Sequence, residues 1–593
     1  MVIPSSVLTP ARLPWLSGLV LVLLCWLAFF HGLGSLGLMD KTEALFVEVA
    51  HQMHVRGDWI TPWWNGERFF DYPVWGYWLV ALSFRLFGVS EWAARLPVAL
   101  AASAVVVGAF LLLLHWPLAA EPPLRRHGRA LLGAAVLATS PGWIGWGRTS
   151  TTDMFLSSAI SLALFGFLLT LRHPRHARLA PIGRMALAGF SAVAVLAKGP
   201  VGLLLPALVI VVFLTLTHQW GSWLAPWPLV AMALLFAGVC LPWYAAAARV
   251  NGMAFLAGFL GFSNLQRFTS VIYDHPGPPW FYLPWLIVLL LPWSLFLPAA
   301  IGATRFWRLE RWRRAGAGDE ERAIAQLPLL LLLWLALMVA FFSAAATKLP
   351  GYILPALPAG ALLVALWWQP LAATGSAAET DRRSWSLLAS GWLNAALLGV
   401  LAAAAALAPR WAASDPAHPA FAIALERSGL PLRLALLLAG TSLALVLLLL
   451  HPHRQRWLWM PDLAGFLAVL ALVVAPLGAV LDRERQLPLR ELAVMARQQA
   501  LAGEPLWVVG TKRYSTLFYG GETAAFVDGR KRIQKRWRED PAALGITART
   551  RSVRLLGDRR HLEELQFPAA RIQRLGQRGE QELWRLSLGG LGP

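Results

Sequence analysis

The chain has 593 residues, 57% of them hydrophobic and 14% charged, with 31 Trp and a formal net charge of +20. Soluble domains run nearer about 45–50% apolar, and the repeated apolar runs of about 20 residues, each long enough to cross a bilayer, exclude an ordinary soluble protein in favour of a polytopic helical one. The basic balance invites a nucleic-acid reading, but in a membrane chain it reflects Arg-rich inner loops and a basic tail.

The first apolar stretch, Leu13 to Phe30, has no small-residue cleavage site before Asp40 and is read as a retained span. The segment Leu38 to Trp78 follows, dense in acid, with Asp40, Glu43, Glu48, Asp58, Glu67 and Asp71. Unpaired carboxylates there cannot lie in hydrocarbon, so it belongs at the membrane–water boundary, either as a solvated loop or as an active-site cap. The Val47, Val49, Ala50, Met53 spacing predicts an amphipathic helix in the interface, anchored by Trp59, Trp63, Trp64, Phe69, Phe70, Trp75 and Trp78.

With the amino terminus inside, the Arg clusters Arg125–Arg129, Arg172–Arg178, Arg305–Arg314, Asp381–Arg383 and His451–Arg456 all fall on the inner side of about thirteen spans. The same count puts Asp40, Asp71, Asp153, Lys198, Arg267 and Lys348 on the outer side, where a turn around Asp415 also lies. A one-span error would scramble both partitions. Cys25 and Cys240 stand inside apolar runs, so neither a disulfide framework nor a thiolate metal site is indicated. No internal repeat is evident, which weighs against transporter folds built from repeated halves.

After Leu481 the chain turns polar. Residues 1–481 form the expected membrane domain, with the cap at 38–78, and 482–593 a small outer α/β domain. Its expected strands are Leu506–Gly510, Ala524–Asp528 and Ser552–Gly557, with a helix over Leu489–Leu501 and a terminal hairpin around Gln577–Gly579. It serves either to dock anionic headgroups or to close the fold.

Charged groups at the ends of membrane helices are costly and mark functional positions. Asp40 follows the first span. Asp153 heads the fourth, where it serves equally well as a helix cap. Lys198 in LAKGP and Lys348 in ATKLPGY each read alone as snorkelling anchors. Taken with Arg148 and Arg267 they point to a site for an anionic group such as phosphate. His275 has no spaced partner and reads as a turn residue before a metal ligand. No cofactor signature is present, and a divalent metal is left open.

The run from Asp40 to Leu100, beginning DKTEALFVEVAHQMHVRGDW, resembles the opening signature of the aminoarabinose-transferase-like, protein O-mannosyltransferase-related glycosyltransferases, integral membrane enzymes of the GT-C fold. GRTSTTDMFL, LAKGPVGLLLP, NLQRF followed by PPWFYLPWLIVLLLPWS, and ATKLPGYILPALPA are similar to later motifs of that family in the same order. The resemblance covers residues 13–370 well and the tail poorly. It implies an all-α polytopic GT-C fold in a bacterial inner membrane, to which the small α/β tail domain read above is added. It also implies inverting transfer of a sugar from a polyprenyl-phosphate donor to an acceptor at the periplasmic face. Lipid A is the acceptor in the aminoarabinose branch; another envelope glycolipid, a glycan or a protein is open here. It places Asp40 and Asp153 at the reaction centre, and Lys198, Arg267, Lys348 and Tyr352 around the donor phosphate.

This chain departs from the family where an arginine is replaced by Glu43, where a lysine after Asp71 is replaced by Tyr72, and where a histidine–glutamate pair is replaced by Ser263–Asn264. The first two changes remove positive charge expected near the donor, so Glu43, Asp71 and Tyr72 join the candidate substrate contacts. The rival readings are a transporter or flippase of lipid-linked sugars and a catalytically inactive paralogue. A shared outer site requires Asp40 and Lys348 to face one compartment. In a cysteine-free background, Lys41→Cys and Leu349→Cys, each beside one of them, are therefore expected to react with an impermeant maleimide from the same side of the membrane, and labelling from opposite sides would dissolve the site.

Overall fold

The computed structural model describes residues 12–116, 121–171, 179–259, 270, 275–308, 319–368, 377–412 and 419–589. Arg267, the Ser263–Asn264 pair, the Arg172–Arg178 connection and the turn at Asp415 lie outside them. Since a backbone in lipid must satisfy its own hydrogen bonds, the membrane part is helical. Among the described residues nine helices are long and apolar enough to cross a membrane, or up to eleven if each of two bent pairs counts as one span. The two remaining expected spans correspond to shorter helices, Pro123–Ala138 with 16 residues and Val201–Thr217 with 17.

Helix α1 (Leu13–Cys25) runs on through a π-helical turn to Phe30. An irregular stretch then leads into α2 (Thr42–Arg56), which ends on Gly57 with φ +66°, a left-handed residue of the kind that glycine adopts without strain. The predicted amphipathic helix is therefore present, with Val47, Val49, Ala50 and Met53 fully buried. Its apolar face packs into protein instead of lying on lipid. The cap continues as a small hairpin, β1 (Trp63–Trp64) and β2 (Glu67–Arg68). Asn65 and Gly66 both have positive φ, 50° and 84°, as a two-residue turn matched to strand twist requires.

Helices α3 (Trp75–Phe87) and α4 (Glu91–His115) follow, the second capped by the Ser90 hydroxyl, which accepts from Ala93 N. Helix α5 (Pro141–Gly147) and α6 (Thr152–Leu168) are bent by 119° around the 148–151 break. Helix α7 (Ala180–Lys198) returns against α6. The two cross at Gly166 and Gly183, where a Cβ on either would meet the other's carbonyl oxygen at 2.7 and 2.5 Å. Such close approach is the use of small residues in membrane helices. Asp153 and Lys198 each lie about 20 Å of helix from this crossing, so the crossing sets the register that brings them together.

The C-terminal unit begins with α8 (Leu487–Gln498) and carries a five-stranded sheet. Its strands are β3 (Leu506–Val509), β4 (Ala524–Val527), β5 (Ser552–Asp558), β6 (Ile572–Arg578) and β7 (Gln581–Ser587), in the order β4-β3-β5-β7-β6. Interior strand β3 is parallel to both neighbours and buried along its whole length, as a strand covered on both faces must be. Helix α9 (Ser515–Gly520) links β3 to β4.

This unit is docked on the cap. Asn65 Nδ2 donates to Ala524 O (3.0 Å) and Asn65 Oδ1 accepts from Ala524 N (2.9 Å). Trp64 lies parallel to Phe526 with ring centres 6.0 Å apart and edge-on to Tyr514 at 5.1 Å. Trp64, expected as a lipid anchor, thus packs against the C-terminal unit. Tyr519 OH accepts from Leu38 N (2.8 Å) and donates to Glu91 (3.1 Å), while Arg490 bridges Glu91 and Asp482. Asn65→Ala removes both partners of one backbone unit at the sheet edge, a loss of about 1–3 kcal/mol where such groups are left unpaired. It is expected to speed amide hydrogen exchange over 524–527 while leaving the membrane helices unchanged.

Candidate active site

Between α1 and α2 the chain leaves helical geometry, and its carbonyls need partners. Arg95, on α4, supplies them. Its Nη1 donates to Leu33 O and Leu36 O, its Nη2 to Gly37 O, and Nε and Nη2 form a two-pronged pair with Glu43 at 2.8 Å each. Both partners are buried, Arg95 3% and Glu43 1% exposed. Glu43 also accepts from Met39 N and from Ser150 N, each at 2.9 Å. One carboxylate thus joins the start of α2, helix α4 and the break before Asp153. Glu43, expected among the substrate contacts, has both oxygens committed to the protein frame, and its charge is matched by Arg95.

Asp153 and Lys198 form an ion pair. Lys198 Nζ stands 4.7 Å from the centre of the Tyr352 ring and 6.0 Å from that of Tyr72, within the range at which a cation is drawn to an aromatic face. Thr152 Oγ1 donates to Ala197 O (2.7 Å), fixing the head of α6 to the end of α7. Tyr352 belongs to the 3-10 turn Pro350–Ala356, and Phe342 stands between it and Tyr282, at 5.7 and 6.3 Å between ring centres. Asp153, Lys198, Tyr72 and Tyr352, singled out from four separate stretches, are therefore neighbours. Asp71 adjoins Tyr72 in the loop before α3.

The other expected contacts lie elsewhere. Arg148 donates to His31 O (2.7 Å) and Ala28 O (3.3 Å), tying the α5–α6 break to the end of the first span. Lys348 Nζ donates to Ser343 O (2.8 Å) and Ala345 O (2.5 Å), at the end of the helix Asp319–Ala344. Both hold main-chain carbonyls, so neither guanidinium nor ammonium is directed at the Asp153–Lys198 pair by these bonds.

Asp40 is half-buried just before α2, three residues ahead of Glu43, and it is held from an unexpected direction. Ser515 N donates to Oδ1 and Ser515 Oγ to Oδ2, each at 2.8 Å. Burial pushes the Asp40 carboxyl above its usual range, and the two Ser515 hydrogen bonds with the Arg513 guanidinium hold part of that rise back. Ser515 and Arg513 were beyond sequence reasoning, since neither stands in a charged or patterned context near Asp40. Arg95 is another omission, though a lone Arg on an apolar helix is a signal in itself. The Ser150 and Thr151 hydroxyls are buried without a hydrogen-bond partner among the described residues, in the turn between Glu43 and Asp153. No three His, Cys, Asp or Glu side chains converge as a metal would require, among the described residues. His275 contributes its carbonyl to Lys348 N (3.0 Å).

The family described as dolichyl-phosphate-mannose-protein mannosyltransferase matches residues 71–245. An undecaprenyl phosphate-alpha-4-amino-4-deoxy-L-arabinose arabinosyl transferase of Pseudomonas aeruginosa strain UCBPP-PA14 is 33% identical over 335 residues, 56% of each chain. The enzyme of that name from Pectobacterium carotovorum is 32% identical over 398 residues, 66% of this chain and 65% of its own. The match spans about half the length of the Pseudomonas relative. Among solved structures, ArnT from Cupriavidus metallidurans bound to undecaprenyl phosphate superposes with a TM-score of 0.72 at 22% identity, over 96% of this chain and 98% of that one. The chain shares the GT-C fold of ArnT and is similar in sequence to aminoarabinose transferases. The fold likeness extends through the C-terminal unit, where the sequence resemblance is poor.

Within this GT-C frame, removing one side of a buried, hydrogen-bonded ion pair costs about 3–5 kcal/mol, because the remaining charge is stranded. Glu43→Ala is expected to lower the melting temperature of the purified protein sharply, and Glu43→Ala with Arg95→Met to regain much of it. Equal stability of Glu43→Ala and the parent would show that the pair does not carry the frame.

Proposed function

We propose that this protein transfers a sugar from a polyprenyl-phosphate donor to an acceptor at the periplasmic face of a bacterial inner membrane, with inversion at the anomeric carbon. The observation that carries the reading is the half-buried Asp153–Lys198 pair set between Tyr72 and Tyr352, within a frame that shares a fold with ArnT. The relatives named for undecaprenyl phosphate-linked aminoarabinose favour a related donor, and lipid A is the acceptor that the family resemblance implies.

In the reaction an acceptor oxygen forms a bond to the anomeric carbon from the face opposite the phosphate. The bond from that carbon to the phosphate oxygen breaks, and polyprenyl phosphate leaves with the electron pair. The growing negative charge needs a cation prearranged in a poorly solvated place, and Lys198 fills that role. Asp153 keeps the ammonium charged and aimed, and the tyrosine rings exclude water around it.

Asp40 has one task with each kind of acceptor. A hydroxyl acceptor must lose its proton, and Asp40 takes it as general base. A phosphate acceptor is already ionised; Asp40 then orients it and offsets positive charge developing on the sugar ring. Ser515 occupies one lone-pair direction of each Asp40 oxygen, and a carboxylate oxygen has another to offer.

Asp40→Asn keeps the shape and removes both charge and basicity. Loss of a positioned proton acceptor costs about 100-fold or more in rate. Purified Asp40→Asn protein is expected to fold normally and to transfer no measurable sugar from a radiolabelled polyprenyl-phosphate donor to lipid acceptor, read by thin-layer chromatography. Unchanged turnover in that variant would remove Asp40 from the mechanism.

A further inference from the structure

The chemistry above draws on the membrane part alone, yet both oxygens of Asp40 are held by one residue 475 positions later in the chain. Two donors on two different oxygens fix the carboxylate plane, because rotation about the last side-chain bond breaks both at once. Ser515 is itself fixed. It is buried at 1% exposure, and its neighbours are gripped by the cap: Tyr514 against Trp64 at 5.1 Å, Phe518 against His51 at 5.2 Å, and Tyr519 between Leu38 N and Glu91. Leu38 and Asp40 are thus both bonded to the short helix α9, and Gly37 N donates to Asp482 (2.6 Å). The stretch that carries the candidate base is shaped on one side by Arg95 and on the other by the C-terminal unit.

We propose that Ser515 is a positioning residue for Asp40, so that the C-terminal unit completes the reaction centre by orienting this carboxylate and favouring its ionised form. The inference rests on the assignment of Asp40 to the reaction. A hydrogen bond from a hydroxyl to a carboxylate stabilises the charged form. The charged or titratable groups around Asp40 from the packed elements are Arg513 and Tyr514 on the C-terminal unit, Lys41 next in the chain, the Glu43–Arg95 pair, and Asp482. Glu43 and Arg95 neutralise each other, so Ser515 and Arg513 supply the main support for the Asp40 charge. Ser515 does not touch substrate in this scheme; it acts through Asp40.

The test uses the full-length protein in lipid nanodiscs. A hydrophobic carbodiimide reacts with protonated carboxyl groups, so the pH at which Asp40 becomes half-labelled, read by peptide mass spectrometry, reports its ionisation without any need for substrate. Ser515→Ala keeps the backbone donor and removes the hydroxyl. It is expected to move that midpoint upward by about one pH unit, the scale of a hydrogen bond to a charged group, and Ser515→Thr is expected to restore it. The acid limb of the pH–rate profile for sugar transfer moves in the same direction. Should Ser515→Ala not fold, Ser515→Cys keeps the size with a weaker donor and gives the same direction of shift. A midpoint unchanged in the folded variants would overturn the proposal. A shifted midpoint in a protein that transfers no sugar from any polyprenyl-phosphate donor would sustain the Ser515 contact and overturn the reaction assigned to Asp40.

Discussion

The arrangement depends on one guanidinium. An arginine has five N–H donors, and Arg95 uses all of them within the fold, three on carbonyls of the stretch after the first span and two on Glu43. That stretch cannot be helical, because it must turn the chain from α1 into α2 and expose Asp40. Irregular backbone at membrane depth is tolerated only where protein satisfies its polar groups. Arg95 is that protein partner, and Glu43 makes its burial affordable in charge while also accepting from the backbone of Ser150. The position of Asp40 and the turn leading to Asp153 are consequences of the same buried pair.

The departure at Glu43 takes on a different meaning in this light. Read from residue types, an acidic residue in place of a family arginine looks like charge lost from a donor site. In the fold, the negative charge is paired with an arginine 52 positions away and never faces the Lys198 cluster. Tyr72 is the departure that does reach the site, through its ring beside Lys198. An aromatic face beside a cation offers modest attraction and no countercharge to a phosphate, so the local field rests on Lys198 and its carboxylate partner.

What was legible in the sequence followed patterns that are local or counted along the chain. The apolar spacing of Val47 to Met53 gave α2, short apolar runs gave three strands of the C-terminal unit, and the distribution of arginines put Asp153 and Lys198 on one side. The two-residue turn at Asn65–Gly66 was written plainly in residue type but lies among tryptophans that suggested a lipid interface. Lys348 was read by its charge, whereas its donors are taken by helix-end carbonyls, a use that no spacing reveals. The pairings of Glu43 with Arg95 and of Asp40 with Ser515 were invisible because both are contacts across the fold between residues that are ordinary in their own surroundings.

Storing Lys198 beside Asp153 has a further physical consequence. A lone ammonium in a poorly solvated pocket loses its charge, whereas an ion pair keeps it at the cost of being partly neutralised. In the reaction we propose, an incoming phosphate shares the ammonium with Asp153. In the ground state that competition weakens binding. As the bond to the sugar breaks, the phosphate gains charge and its claim on Lys198 grows, so the interaction strengthens toward the transition state, which is the condition under which binding accelerates a reaction. Under that proposal the pair at the α6–α7 contact suits a leaving group better than a free cation would, and its register follows from the glycine crossing at 166 and 183.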